Sequence, residues 1–91
     1  MSEDVPIGRK VRGVVAEHHS YGLEVRLMPP DPPVLAFVDV AVISDDRQIN
    51  GMGDYPPVGS EVDGVTLRYD ANGQLRLSLR HSDIGPSEAG R

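Results

Sequence analysis

The chain has 91 residues and no cysteine, so its fold rests on packing and backbone pairing, without disulfides or thiolate metal ligands. Nine basic and fourteen acidic residues give a formal net charge of −5, which argues against a general attraction to the phosphate backbone of nucleic acids. The first residues are acidic and polar, and no apolar run approaches the roughly 20 residues of a membrane span, so we expect a soluble, cytoplasmic protein without membrane contact.

Apolar residues recur with a spacing of two through most of the sequence, which predicts an all-β body over residues 7–82. The segments 1–6 and 83–91 are rich in small and polar residues and are predicted to be flexible tails. The first strand is predicted over residues 10–17. Val11, Gly13 and Val15 are predicted to lie on one face of this strand, with Gly13 placed for a close backbone approach.

A turn at residues 20–22 leads into a second strand that pairs with the first. The core residues of this second strand are predicted to be Leu23, Val25 and Leu27. The segment 28–33 contains four prolines, which cannot donate to a strand ladder, and is therefore predicted to be a stiff loop. The third strand is predicted over residues 34–39.

The segment 40–57 loses the alternating pattern and is predicted to be a long connection, with a short helical turn near residues 40–43. The fourth strand, residues 61–69, has uneven apolar spacing that indicates a bulge. The Asn-Gly pair within residues 70–73 predicts a tight hairpin into the last strand. Across the strands, the residues predicted to be buried are Val11, Val15, Leu23, Val25, Leu75, Leu77 and Leu79.

Five short strands, a long connection between the third and fourth, and a final hairpin match the order of a small Greek-key barrel, the OB-fold. A series of short motifs follows the same order along the body. These motifs are Ile7-Gly8, Val11-x-Gly13-x-Val15, Tyr21-Gly22-x-x-Val25, Phe37-Val38-Asp39-Val40, Val58-Gly59-x-x-Val62 and Asp70-x-x-Gly73-x-Leu75-x-Leu77-Ser78-Leu79-Arg80. Together they resemble the ribosomal S1-like RNA-binding domain, and the closing motif is the most specific of them.

The resemblance implies a surface that stacks and clamps single-stranded RNA. Members of this family present two aromatics on the second strand, a histidine on the third, and an aspartate with a nearby arginine around the last hairpin. The first aromatic corresponds to Tyr21 and the aspartate to Asp70, and Arg76 lies two positions beyond the expected arginine. The remaining positions carry different chemistry, namely Glu24, Asp39 and Gln74. About half of the contact set implied by the resemblance is therefore replaced.

The candidate nucleic-acid-binding residues combine a ring for stacking with basic side chains on strands. They are His19, Tyr21, Arg26, Arg68, Asp70 and Arg76. The alternative is an ordinary solvated face, in which the arginines pair with acidic neighbours and Tyr21 covers one end of the barrel. A contiguous arginine stripe beside Tyr21 would favour RNA, whereas arginines paired with Glu24, Asp39 or Asp70 would favour the alternative.

Two function classes follow from this reasoning. The first is a monomeric, non-enzymatic module that binds single-stranded RNA, or DNA, weakly. The second is a protein-interaction module that keeps the barrel and has lost RNA binding. No cofactor is expected, and no metal site is expected because the adjacent residues His18 and His19 point to opposite faces of a strand.

Overall fold

A computed structural model describes residues 5–44 and 48–84 of the chain. Its five strands are β1 (Lys10–His19), β2 (Gly22–Leu27), β3 (Leu35–Asp39), β4 (Glu61–Tyr69) and β5 (Leu75–Ser78). The helical segments are two 3-10 turns, Val40–Val42 and Met52–Asp54, and a one-turn helix α1 (His81–Ile84). The five strands and the long connection between β3 and β4 confirm the predicted all-β architecture.

The strands close into a barrel in the order β1-β2-β3-β5-β4, with β4 returning to pair with β1. The pair β3 and β5 is parallel, and the other pairs are antiparallel. This crossover gives the barrel its Greek-key arrangement. The predicted OB-fold is therefore confirmed.

The barrel interior contains the apolar residues that alternate along the strands. Six of the seven residues predicted to be buried are buried: Val11, Val15, Leu23, Val25, Leu75 and Leu77. Leu79 is the exception, because β5 ends at Ser78 and Leu79 packs against the core cluster from its edge, only partly covered. A backbone hydrogen bond still fixes Leu79 against the barrel, because its N–H donates to the carbonyl of Val42 at 2.9 Å.

The ordered barrel begins before the predicted boundary at residue 7. Val5 is only 2% exposed and joins the core. The hydroxyl of Tyr69 donates to the Val5 carbonyl at 2.9 Å and accepts from the Val5 N–H at 2.6 Å, which fixes this segment to β4. Residues 83 and 84, which were predicted to belong to a tail, lie in α1, and of the predicted tails only residues 1–4 and 85–91 lie outside the described residues.

Beyond β5, the Ser78 hydroxyl donates to a carboxylate oxygen of Asp83 at 2.6 Å and holds α1 against the barrel. None of the helices in the described part of the chain is long and apolar enough to cross a membrane.

Two irregularities shape the sheet. The register between β4 and β5 shifts between Thr66 and Arg68, which confirms the predicted bulge in the fourth strand. A second shift interrupts the pairing of β1 with β2 between Val15 and Glu17. The predicted hairpin is closed by Gly73, which has a φ of 83° and donates its N–H to the carbonyl of Asp70 at 2.9 Å.

Candidate nucleic-acid interface

One row of outward-facing side chains crosses four neighbouring strands. The cross-strand partners are Glu24 and Phe37, then Phe37 and Arg76, then Arg76 and Arg68. Successive residues of a strand point to opposite faces, so the residues on either side of Phe37 in β3 fill the core while Phe37 itself faces outward. The strand register therefore brings acidic, aromatic and basic side chains side by side on the outside of the barrel.

Three rings and one guanidinium form a compact cluster at this row. The ring of Tyr21 stacks on His19 with centroids 5.2 Å apart and on Phe37 with centroids 5.4 Å apart, and the rings of His19 and Phe37 are themselves 6.2 Å apart. The guanidinium carbon of Arg76 lies 4.8 Å from the centroid of Phe37. We call His19, Tyr21, Phe37 and Arg76 the stacking surface. Tyr21 is 60% exposed whereas Phe37 is 6% exposed, so Tyr21 presents its ring to solvent and Phe37 supports it.

Gly22 makes room for this stack at the start of β2. A Cβ atom at Gly22 would lie 2.6 Å from the ring of Phe37 and would collide with the carbonyl oxygen of Val38. Its φ of 154° is also one that residues with a side chain rarely adopt. The glycine next to Tyr21 thus allows the Phe37 ring to lie close against the backbone of β2.

The last hairpin positions Arg76. Asp70 accepts the N–H groups of Asn72 and Gln74 at 2.9 and 3.0 Å, and its second oxygen accepts from Nε of Arg76 at 3.1 Å. The N–H of Gln74 is the main reason that the pKa of Asp70 lies below its ordinary value of 3.8; Asn72 and Arg76 also lower it, and partial burial opposes them. An ionised Asp70 therefore closes the turn and holds the guanidinium over Phe37.

Two carboxylates reduce the attraction of this region for phosphate. Glu24 lies directly across from Phe37, and its carboxylate oxygen is 3.3 Å from Nε2 of His19. Asp39 accepts the N–H of Ala41 at 3.0 Å and caps the 3-10 turn after β3. Glu24 is thus next to the stacking surface, while Asp39 has a local structural role.

Two of the predicted arginines remain unpaired within the described residues. Arg68 is the cross-strand partner of Arg76 and lines a small cavity of about 210 Å³ together with Arg76 and Asp39. Arg26 is exposed on the same outward face but lies two residues along β2 from Glu24, opposite Leu35. The structure therefore brings Arg68 next to the stacking surface and leaves Arg26 away from Tyr21.

The two adjacent histidines face different neighbours. The Nε2 atom of His18 is 2.7 Å from the carbonyl oxygen of Pro56, and its ring meets Tyr55 edge-on with centroids 5.1 Å apart. His19 instead stacks on Tyr21. Of the two histidines considered in the sequence, only His19 reaches the stacking surface.

The opposite side of the barrel holds its arginines differently. On β1, Nε and Nη1 of Arg12 donate to Asp63 at 3.0 Å and to Glu61 at 3.3 Å. The hydrogen bond to Asp63 and the charges of both carboxylates raise the pKa of Arg12. A groove of about 1240 Å³ lies here, lined in part by Arg12, Pro30 and Leu79, and none of its lining residues belongs to the stacking surface. Arg12 is therefore a suitable control residue for variants of the stacking surface.

Phe37 is the site residue that the sequence prediction missed. All five residues from Val34 to Val38 are apolar, so alternation cannot show which of them face outward. The available signal was its place on the strand next to Glu24, the position at which the family resemblance expects an aromatic ring. In this chain β2 carries Glu24 at that position, and the ring of Phe37 lies directly opposite it on β3.

No family model matches the chain. Among solved structures, a chain of the a/eIF2alpha–aDim2p–rRNA complex from Pyrococcus horikoshii is 27% identical, with a TM-score of 0.73, over 85% of this chain and 45% of that one. The alpha subunit of aIF2 from Pyrococcus abyssi is 27% identical, with a TM-score of 0.74, over 89% of this chain and 31% of that one. GSP13 from Bacillus subtilis is 22% identical, with a TM-score of 0.72, over 93% of this chain and 63% of that one. The chain therefore spans less than two thirds of each of these proteins, and the matches confirm the predicted S1-like barrel.

Proposed function

We propose that this S1-like OB-fold barrel is a binding module for single-stranded RNA and that RNA contacts the stacking surface. The observation that carries the proposal is the cluster of His19, Tyr21, Phe37 and Arg76, in which the exposed ring of Tyr21 stacks on its two aromatic neighbours. Exposed rings supported from behind are the groups on which unpaired bases stack, and each such contact is worth about 1–3 kcal/mol where it has been measured.

The arginines of the site supply the phosphate contacts in this proposal. Arg68 and Arg76 are neighbours across β4 and β5, and Arg26 lies farther along the same outward face. Three phosphate contacts on a single strand correspond to a slope of log affinity against log salt of roughly −2. Raising salt from about 50 to 200 mM would then weaken binding on the order of tenfold.

The carboxylates keep this binding weak. Glu24 occupies the edge of the stacking surface, and Asp70 already neutralises part of the charge of Arg76. The net charge of −5 adds a general repulsion of the phosphate backbone. We propose binding without catalysis, because rings and arginines act here as contacts for a ligand.

RNA is preferred over DNA as the ligand because a similar chain occurs in a complex with rRNA. The choice rests on that similarity, since stacking on rings does not distinguish the two polymers. Parallel titrations with RNA and DNA oligomers of the same sequence therefore belong in the test.

The experiment is an NMR titration with mixed-sequence RNA and DNA oligomers at low salt. We expect chemical-shift changes centred on Tyr21, Phe37 and Arg76, and we expect Tyr21→Ala to weaken binding by about 5- to 100-fold, the equivalent of one lost stacking contact. Arg12→Ala, on the opposite side, should leave binding within about twofold of wild type, because its guanidinium already pairs with two carboxylates. Absence of shift changes around Tyr21 at millimolar oligonucleotide would exclude the proposal.

A second candidate function is a protein-interaction module that has lost RNA binding. The observation that favours it is the pairing of Arg76 with Asp70, together with the carboxylate of Glu24 in the row where the family resemblance expects a ring. In that case the same titration would show no shift changes with any oligonucleotide. The exposed ring of Tyr21 on Phe37, together with Arg68 next to Arg76, makes RNA the stronger candidate.

A further inference from the structure

A cluster of three potential metal ligands lies at the edge of the stacking surface. It consists of Glu17 and His19 on β1 and Glu24 on β2, and one ligand atom from each lies within 4.8 Å of the other two. The closest pair, Nε2 of His19 and Oε2 of Glu24, is 3.3 Å apart. Two ligands of a tetrahedral Zn²⁺ with bonds of 2.0–2.2 Å are separated by about 3.3–3.6 Å. This pair therefore already has the spacing of two ligands of one ion.

The bulge in β1 creates the cluster. Val15 pairs with Val25, so regular antiparallel pairing would place Ala16 opposite Glu24. The register shift after Val15 instead places Glu17 opposite Glu24. Bulges commonly re-aim a side chain at functional sites. Here the bulge brings a second carboxylate to Glu24 and keeps His19, two residues later, on the same side.

The arrangement is unfavourable without a cation. Like charges directly opposite each other on an antiparallel pair destabilise a sheet. Among the described residues, Glu17 forms no ion pair that would offset its repulsion of Glu24, and the contact of Glu24 is with His19. A divalent ion would balance both carboxylates and use the imidazole as a third ligand.

We propose that Glu17, His19 and Glu24 bind a zinc-type divalent ion. Imidazole and carboxylate are ligands of Zn²⁺, and three protein ligands leave one coordination position open. An imidazole binds a metal in the plane of its ring, whereas His19 stacks on Tyr21 through the face of its ring. Metal binding and the stacking surface are therefore compatible.

A consequence of this site rests on the proposed RNA function. The ion would convert the repulsive edge formed by Glu17 and Glu24 into one that attracts anions, and a phosphate oxygen would be a suitable fourth ligand. RNA affinity should then increase when Zn²⁺ is present. The sequence prediction of no metal site considered the two adjacent histidines beside Glu17 and rejected them because they point to opposite faces, and the structure instead combines one of them with Glu17 and Glu24.

The test is calorimetric titration of the untagged protein with Zn²⁺ in the absence of RNA, followed by Co²⁺ titration with visible absorption as a spectroscopic probe. We expect saturable binding of one ion per chain. Since loss of even an outer-shell partner of a ligand typically costs 10–100-fold in metal affinity, His19→Ala should weaken binding by about tenfold or more. His18→Ala is the matched control, because His18 faces Pro56 and should leave the affinity within about twofold of wild type.

Glu17→Gln provides a second variant that removes a ligand at an exposed position and should also weaken binding. Absence of saturable binding, or equal effects of His18→Ala and His19→Ala, would overturn the proposal. RNA titrations with and without Zn²⁺ separate the two proposals. Metal binding without any RNA binding would refute the proposed function alone, and RNA binding without metal binding would refute the metal site alone.

Discussion

On strand β5, Leu77 and Arg76 are adjacent in sequence yet contribute to different properties of the protein. Leu77 is 1% exposed and lies in the core with the inward residues of β2 and β3. Arg76 faces outward and lies over the ring of Phe37. The same alternation on β3 places Ala36 and Val38 in the core and Phe37 outside, so the inner face carries packing and the outer face carries part of the stacking surface.

This comparison predicts that stability and the proposed binding can be changed separately in this barrel. A change on the inner face leaves a cavity in a closely packed interior, whereas a change on the outer face removes contacts that are partly exchanged with water. Arg76 and Arg12 differ in the number of carboxylates that pair with each guanidinium, and we expect this number to decide how available each arginine is to a ligand. Arg12 pairs with two carboxylates, while Arg76 pairs with one and stacks on a ring.

The largest expected effect is on the inner face. Leu77→Ala should lower the free energy of unfolding by about 2–5 kcal/mol, because truncation of a core leucine loses transfer energy and leaves a cavity. Against a total stability of about 5–15 kcal/mol this is a severe loss. Urea denaturation measures it, with Arg76→Ala as the matched outer-face variant. A loss below about 1 kcal/mol for Leu77→Ala would contradict the assigned core.

The next effect is a gain on the outer face. Glu24→Phe should place a ring beside Phe37, remove a negative charge, and tighten RNA binding by about 1–3 kcal/mol, the value of one stacked base. Combining it with Asp39→His should remove a second negative charge. Because Asp39 caps the turn after β3, the double variant should also be slightly less stable, and Glu24→Phe alone is therefore the cleaner test.

RNA titrations of wild type, Glu24→Phe and the double variant measure this effect. The reading of Glu24 as a repulsive edge would be wrong if Glu24→Phe bound RNA no more tightly than wild type. Zn²⁺ must be kept out of these titrations, because Glu24 also belongs to the proposed metal site.

Most of the fold was predictable because alternation of apolar residues directly reports the inner face. The apolar pattern identified the strands and, by its uneven spacing, the bulge in β4, while the Asn-Gly pair identified the turn at residues 70–73. The ends were less predictable. Val5 is held by the hydroxyl of Tyr69, a contact between residues 64 positions apart, and local composition carries no information about such a contact.

The site was only partly predictable for a related reason. Tyr21, His19, Asp70 and Arg76 were identified as candidates, and the structure brings them together. Phe37 was missed because its strand is apolar on both faces. The position of Glu17 opposite Glu24 depends on a bulge in β1, and one extra residue in a ladder changes which side chains meet across it.

A smaller effect tests the contrast between the two arginines. Arg76→Ala should weaken RNA binding a few-fold and make the slope of log affinity against log salt less negative by about 0.7, the contribution of one phosphate contact on a single strand. Arg12→Ala should change neither quantity, since its charge is balanced by Glu61 and Asp63. Fluorescence titrations over a range of salt concentrations provide both values. Equal slopes for wild type and Arg76→Ala would show that Arg76 stays committed to Asp70.

The smallest expected effect concerns pH and the support of Arg76. The N–H of Gln74, with further help from Asn72 and Arg76, holds the pKa of Asp70 below 3.8 in the folded protein. A carboxyl whose pKa is lower in the folded state than in the unfolded one stabilises the fold above its unfolded pKa, and this stabilisation is lost as the pH falls through the folded pKa. Wild type should therefore lose an increment of stability in acid below pH 3.8 that Asp70→Asn lacks.

The asparagine oxygen can still accept both N–H groups of the turn, so the variant should fold normally and differ from wild type mainly by its uncharged contact with Arg76. Urea midpoints for the two proteins should differ most near neutral pH and converge below pH 3.8. If the difference in urea midpoint between the two proteins stayed constant across this pH range, the charge of Asp70 would not be what stabilises the last hairpin.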